Sequence, residues 1–237
     1  MNLRELRQRL REAAHPSQAA IARRFFKTGP GEYGEGDLFL GLKVPQLRAE
    51  LPHTDALSEA DVLDLLHSEW HEERLLALLA LGRRFARAKK EDAATQQRLV
   101  SLYLANTKWI NNWDLVDSSA PHILGAWLLR RDRTVLDTLA ASTSLWEQRI
   151  AILATQAFIR AGDFADTLRL SALFLSHPHD LMHKACGWML REVGKRDVKP
   201  LLSFLDQHAA RMPRTMLRYA IEKLSPKARQ AYLAMKK

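Results

Sequence analysis

The spacing of apolar side chains constrains this chain more than any other feature. Apolar residues recur at i, i+3, i+4 and i+7 almost from end to end, and the period-2 alternation of a half-buried strand is nearly absent. Leu3, Leu6 and Leu10 mark one amphipathic helix, and Ala19, Ala22, Phe25 and Phe26 a second. Leu75, Leu78, Leu79 and Leu81 sit inside a longer one. The stripe returns in Ile150, Leu153, Ala154, Ala157 and Phe158, and again in Ala185, Trp188, Met189 and Val193. Of the nine prolines, Pro16, Pro45, Pro178, Pro213 and Pro226 stand near expected helix starts, where a missing N–H is tolerated. Five of the ten glycines fall in residues 29–41, which makes that stretch the one real loop. The chain therefore reads as all-α, ten to fifteen short helices joined by tight turns.

Two-helix units recur with a period of roughly forty residues, about 58–88, 91–128, 132–160, 163–195 and 197–222. This fits an α-solenoid of HEAT-like helical repeats, in which each pair buries its stripe against its neighbours. Residues 1–237 are then expected to form a single repeat domain with a concave groove of a size to take a nucleic-acid duplex. A compact, non-repeating helical bundle is the alternative.

Charge narrows the function. Residues 1–120 hold 17 basic and 17 acidic side chains, so the whole formal charge of +9 lies in residues 121–237. Residues 196–237 alone carry ten Lys/Arg against three Asp/Glu. A one-sided basic field is the footprint of a polyanion binder, most simply nucleic acid. The single cysteine, Cys186, excludes an intramolecular disulfide framework. No apolar run approaches a membrane span, and the amphipathic N-terminus lacks the apolar core of a signal peptide. A cytoplasmic setting without membrane contact is expected.

Three segments combine residues that could carry chemistry. In the run Asn111 to Pro121, Asn112 is a good N-cap, and Trp113 and Asp117 then stand four apart on one helical face. Asp114 occupies the usual place for an acid facing the positive helix end. Asp117 has no such duty, and Pro121 cannot donate to its carbonyl, so the helix should kink there. Arg149 begins an apolar helix, where it could equally form a surface ion pair with Glu147 or Asp163. Gly187 precedes Trp188 inside a helix at a cost of ~1 kcal/mol, which implies a close approach that offsets it. Trp188 could equally be core. One carboxylate, one guanidinium and two indoles suit a cationic sugar and a backbone phosphate. His179, His183 and Cys186 have zinc-compatible spacing but lack a fourth ligand. His67, His71 and Glu72 resemble half a metal helix whose pattern fails at Arg74 and Leu75. No metal is expected. The Gly34-Glu35-Gly36 run lacks the Lys-Ser/Thr and the context of a phosphate loop.

The chain resembles the HEAT-repeat alkylpurine DNA glycosylases of the AlkD type. The resemblance is carried by Phe39-Leu40-Gly41-Leu42-Lys43-Val44-Pro45, by the run His71 to Leu78, and by Trp113-Asp114-Leu115-Val116-Asp117. It continues in Trp146-Glu147-Gln148-Arg149 and in the run Lys184 to Glu192, which holds Trp188 and Arg191. It implies that Asp117 is the catalytic aspartate, that Trp113 and Trp188 flank the deoxyribose, and that Arg149 grips the DNA backbone. It also implies monofunctional excision of N3- and N7-alkylated purines from duplex DNA, without metal or other cofactor and with the lesion left stacked. Lys184, Arg191, Arg214 and Arg218 are expected to bind DNA. Phe25 or Phe26 stands where relatives can have a tyrosine near the DNA, so no hydroxyl is available there. Some relatives keep the scaffold and bind branched DNA without excising anything, which is the alternative function. The expected partner is a duplex holding an alkylated purine, bound by a monomer without an obligate protein partner.

Overall fold

The computed structural model describes residues 1–88 and 92–235, and every regular element in it is helical. Residue 91, where the second two-helix unit was expected to begin, lies outside the described residues, as do Lys236 and Lys237 of the basic half. The chain divides into two compact units, Met1–Ser119 and Ala120–Lys237.

The first unit contains α1 (Leu3–Glu12), α2 (Pro16–Phe25), α3 (Val44–Glu50), α4 (Glu59–Leu66), α5 (His71–Ala88), α6 (Ala93–Ala105) and α7 (Trp113–Ser119). Local chemistry starts these helices. Asn2 and Glu5 form a reciprocal capping box on α1, as Ser58 and Asp61 do on α4, and Asp92 caps α6. α5 is the axis of the unit, with α3, α4, α6 and α7 packed on it. Its run of Leu75, Leu76, Ala77, Leu78, Ala80 and Leu81 is buried on all sides. Each fully buried leucine is worth about 1.5–3 kcal/mol relative to an exposed one.

The second unit opens with a π-helical turn, Pro121–Gly125, in which the Gly125 N–H donates to the Ala120 carbonyl at 2.9 Å. The helical register thus changes at Pro121, as its missing donor requires. There follow α8 (Ala126–Leu128), α9 (Thr134–Ala140), α10 (Leu145–Ala154), α11 (Gln156–Arg160) and α12 (Ala165–Leu173). The unit ends with α13 (Asp180–Arg196), α14 (Val198–His208), α15 (Arg214–Ala220) and α16 (Pro226–Ala234). Sequential neighbours pack together, α9 on α10, α12 on α13 and α13 on both α14 and α15. The expected helix pairs appear in chain order as α4/α5, α6/α7, α9/α10, α12/α13 and α14/α15. The fold is all-α, consistent with the α-solenoid class. No helix among the described residues is long and apolar enough to cross a membrane.

Candidate active site

In the first unit, the site is built from the start of α5. His71, Glu72, Glu73 and Arg74 are all buried there, and each has a partner. The Glu72 carboxylate accepts the backbone N–H groups of Leu40, Gly41 and Leu42 at 2.9, 2.8 and 3.2 Å. Gly41 has φ 82°, and a Cβ there would collide with the His15 carbonyl oxygen, so the glycine lets the loop close against α2. Glu73 pairs with Arg7 at 3.0 Å and Arg11 at 2.6 Å, which ties α1 to α5. Arg74 donates to the Ser68 carbonyl at 2.9 Å and forms a 2.7 Å ion pair with Asp37.

His71 connects this framework to α7. Its Nδ1 lies 3.3 Å from Asp37 Oδ2 and its Nε2 2.8 Å from Asp114 Oδ2. Burial alone would lower the imidazole pKa, but Asp114 and then Asp37 outweigh it and hold the group up to about 9. Asp37, also buried, is nevertheless pulled below its ordinary value by His71 and Arg74. The reading of Asp114 as a plain helix-end acid is therefore incomplete: one oxygen does accept the Leu115 N–H at 2.9 Å, while the other reaches His71.

Trp113 sits immediately before Asp114. The Asn112 carbonyl accepts the first helical bond from Val116, as expected of an N-cap, and its side chain accepts the N–H of the next residue, Trp113, at 2.8 Å. The Trp113 indole stacks on Phe26 with centroids 5.3 Å apart, and Phe26 in turn contacts Phe39 at 5.2 Å and His71 at 4.8 Å. Phe25 meets the indole edge-on at 5.8 Å and is 61% exposed, so it lies on the surface rather than in the stripe that its spacing suggested. Asp117, one turn beyond Trp113, is half-buried. Burial and then the Asp117 charge push the Tyr103 phenol above its usual range, against a hydrogen bond to Ser119. A carboxylate and an indole are thus presented together on α7.

The second unit holds the remaining expected residues. Arg149 is only 4% exposed, and its guanidinium donates to the Leu181 carbonyl at 2.7 Å, joining α10 to the first turn of α13. Asp163, one of the partners considered for it, is paired with Arg133 at 2.7 Å. Lys184, Trp188 and Arg191 follow one another at i, i+4 and i+7 on one face of α13. Lys184 pairs with Asp180 at 2.9 Å, and Arg191 with Glu222. The half-exposed Trp188 donates from Nε1 to Glu192 at 3.1 Å. Gly187 lies against α15, where a Cβ would stand 2.5 Å from the Met216 carbonyl oxygen. The close approach expected before Trp188 is present. Arg214 and Arg218 are exposed on α15, and Arg214 also donates to the Leu233 carbonyl at 2.9 Å.

Neither histidine run is arranged as a metal centre. His179 Nδ1 accepts the Leu181 N–H, His183 Nε2 donates to the His177 carbonyl, and Cys186 is buried with its thiol pKa pushed up by burial to about 12. Among the described residues no three His, Cys, Asp or Glu side chains are grouped to hold an ion.

The His71–Asp37–Asp114 group was missed in the sequence. The available signal was α5 itself. A helix apolar all round is buried all round, so the polar residues that begin it must be buried and paired.

A family model described as DNA alkylation repair enzyme matches residues 6–224. No curated protein matches the chain. Among solved structures, a predicted DNA alkylation repair enzyme from Enterococcus faecalis superposes with a TM-score of 0.69. It is 14% identical, over 90% of this chain and 97% of that one, a likeness of fold.

Proposed function

Because this chain belongs to the DNA alkylation repair enzyme family and so acts in repair of alkylated DNA, we propose that it is a monofunctional glycosylase for cationic N3- and N7-alkylated purines in duplex DNA. Alkylation at either nitrogen makes the base a good leaving group, so little acid catalysis is needed. What remains is stabilisation of an oxocarbenium-like sugar and delivery of water to its anomeric carbon.

The observation that carries this reading is the shared face of α7. Asp117 stands one turn from Trp113, whose indole is fixed by Phe26. Asp117 stabilises the developing positive charge and positions the attacking water. Trp113 offers the sugar a π face, and Trp188, on α13 of the second unit, is the other indole that the resemblance assigns to the deoxyribose. Lys184, Arg191, Arg214 and Arg218 bind phosphates and Phe25 lies against the duplex, while Arg149, only 4% exposed and bonded to the Leu181 carbonyl, acts by holding the first turn of α13 instead of gripping the backbone itself. The leaving group already carries its charge, so departure of the base asks for no metal or other cofactor.

Product analysis tests the reading. Incubation with a duplex containing one N3-methyladenine should release the free base and leave an intact strand with an abasic site. Tight DNA binding without base release would instead favour a non-catalytic binder of distorted or branched DNA.

A further inference from the structure

We propose that His71 is a positioning residue for excision, acting as an imidazolium clasp between Asp37 and Asp114 that locks the first turn of α7 and the Trp113 indole. The inference rests on the excision reading above.

The geometry favours a cation. Both ring nitrogens face carboxylate oxygens, Nδ1 at 3.3 Å from Asp37 and Nε2 at 2.8 Å from Asp114. An ionised carboxylate only accepts, so the ring satisfies both acids when both nitrogens carry protons. A neutral imidazole would turn a lone pair on one of the two acids in a buried setting. The charged groups facing His71 are Asp114 from α7, Asp37 from the 27–43 loop and Arg74 from its own helix. Arg7 and Arg11, contributed by α1, are taken by Glu73. Two carboxylates against one guanidinium favour the protonated ring.

The clasp reaches Trp113 by two routes. Through Asp114 it holds the backbone next to the tryptophan. Through its ring face it supports Phe26 at 4.8 Å and Phe39 at 4.7 Å, and Phe26 is the platform under the indole. A cation against aromatic faces strengthens that stack. Asp117 lies one turn along the same short helix, so any tilt of α7 displaces both groups that would meet the sugar. His71 itself is buried and does not touch substrate.

The test pairs excision with a direct view of the indole. The full chain is labelled with 5-fluorotryptophan, and the Trp113 resonance is assigned by Trp113→Phe. In His71→Gln and Asp114→Asn that resonance should shift or broaden while the Trp146 signal, from α10, stays fixed. Single-turnover excision should fall by about 10- to 100-fold, as small misplacements do, with DNA affinity changed by less than about threefold. In the wild type the Trp113 signal should move only as pH rises through about 9. If His71→Gln does not fold, Asp114→Asn and the wild-type titration decide. An unmoved Trp113 resonance in both the variants and the titration would overturn the proposal, even with excision intact. Absence of excision by the wild type would overturn the function instead, and the fluorine signal would still report on the clasp.

Discussion

Gly187 and Met216 touch backbone to backbone: a Cβ on the glycine would stand 2.5 Å from the Met216 carbonyl oxygen and 2.6 Å from the Tyr219 Cβ. α13 and α15 are therefore packed closer than a Cβ at position 187 would permit, right beside Trp188. Gly187→Ala should gain ~1 kcal/mol of helix propensity and lose about 1–3 kcal/mol to overpacking. Urea denaturation should show net destabilisation. A more stable variant would mean that the two helices can separate freely.

Glu72 accepts three backbone N–H groups of the loop before α3. Glu72→Ala strands them, at ~1–3 kcal/mol for each buried donor left unmade. Amide hydrogen exchange at Leu40, Gly41 and Leu42 should accelerate well before the rest of the first unit. Unchanged protection would show that another acceptor holds the loop.

The buried His71 gives stability its own alkaline limit. Its folded pKa, about 9, lies above the ordinary value of 6.5, so its contribution is complete below pH 6.5 and is lost as pH rises through about 9. The loss is on the order of a few kcal/mol. Thermal unfolding of the wild type should show this decline between pH 7 and pH 10, and His71→Gln should lack it.

The helical plan was legible because packing stripes are local. Leu75 to Leu81 announce α5 within seven residues, and Gly187 beside Trp188 announced a close helix contact. That Asp117 and Trp113 share one helical face was legible for the same reason, the two being one turn apart. The clasp was not, since His71 meets partners 34 and 43 positions away. Spacing likewise could not tell that Phe26 stacks on the indole while Phe25 meets only its edge and stays exposed, nor that Arg149 spends a donor on Leu181. These depend on tertiary neighbours that no short window contains.

Electrostatic binding through the second unit predicts a steep salt dependence of DNA affinity. Arg218, exposed on α15, should hold one phosphate. Arg218→Ala should lower affinity equally for all sequences and reduce the log–log salt slope by about one. Fluorescence anisotropy from 50 to 200 mM salt measures it. A slope identical to wild type would remove Arg218 from the DNA face.

The most direct measurement compares wild type and Asp117→Asn under single-turnover conditions on a duplex holding one N7-methylguanine. The amide keeps the shape of the side chain and removes the charge that would stabilise the sugar cation. Wild type should release free base, and the variant should be slower by roughly 10²-fold or more at unchanged DNA affinity. Equal rates for the two proteins, or no release by either, would contradict the assignment of Asp117 as the catalytic carboxylate.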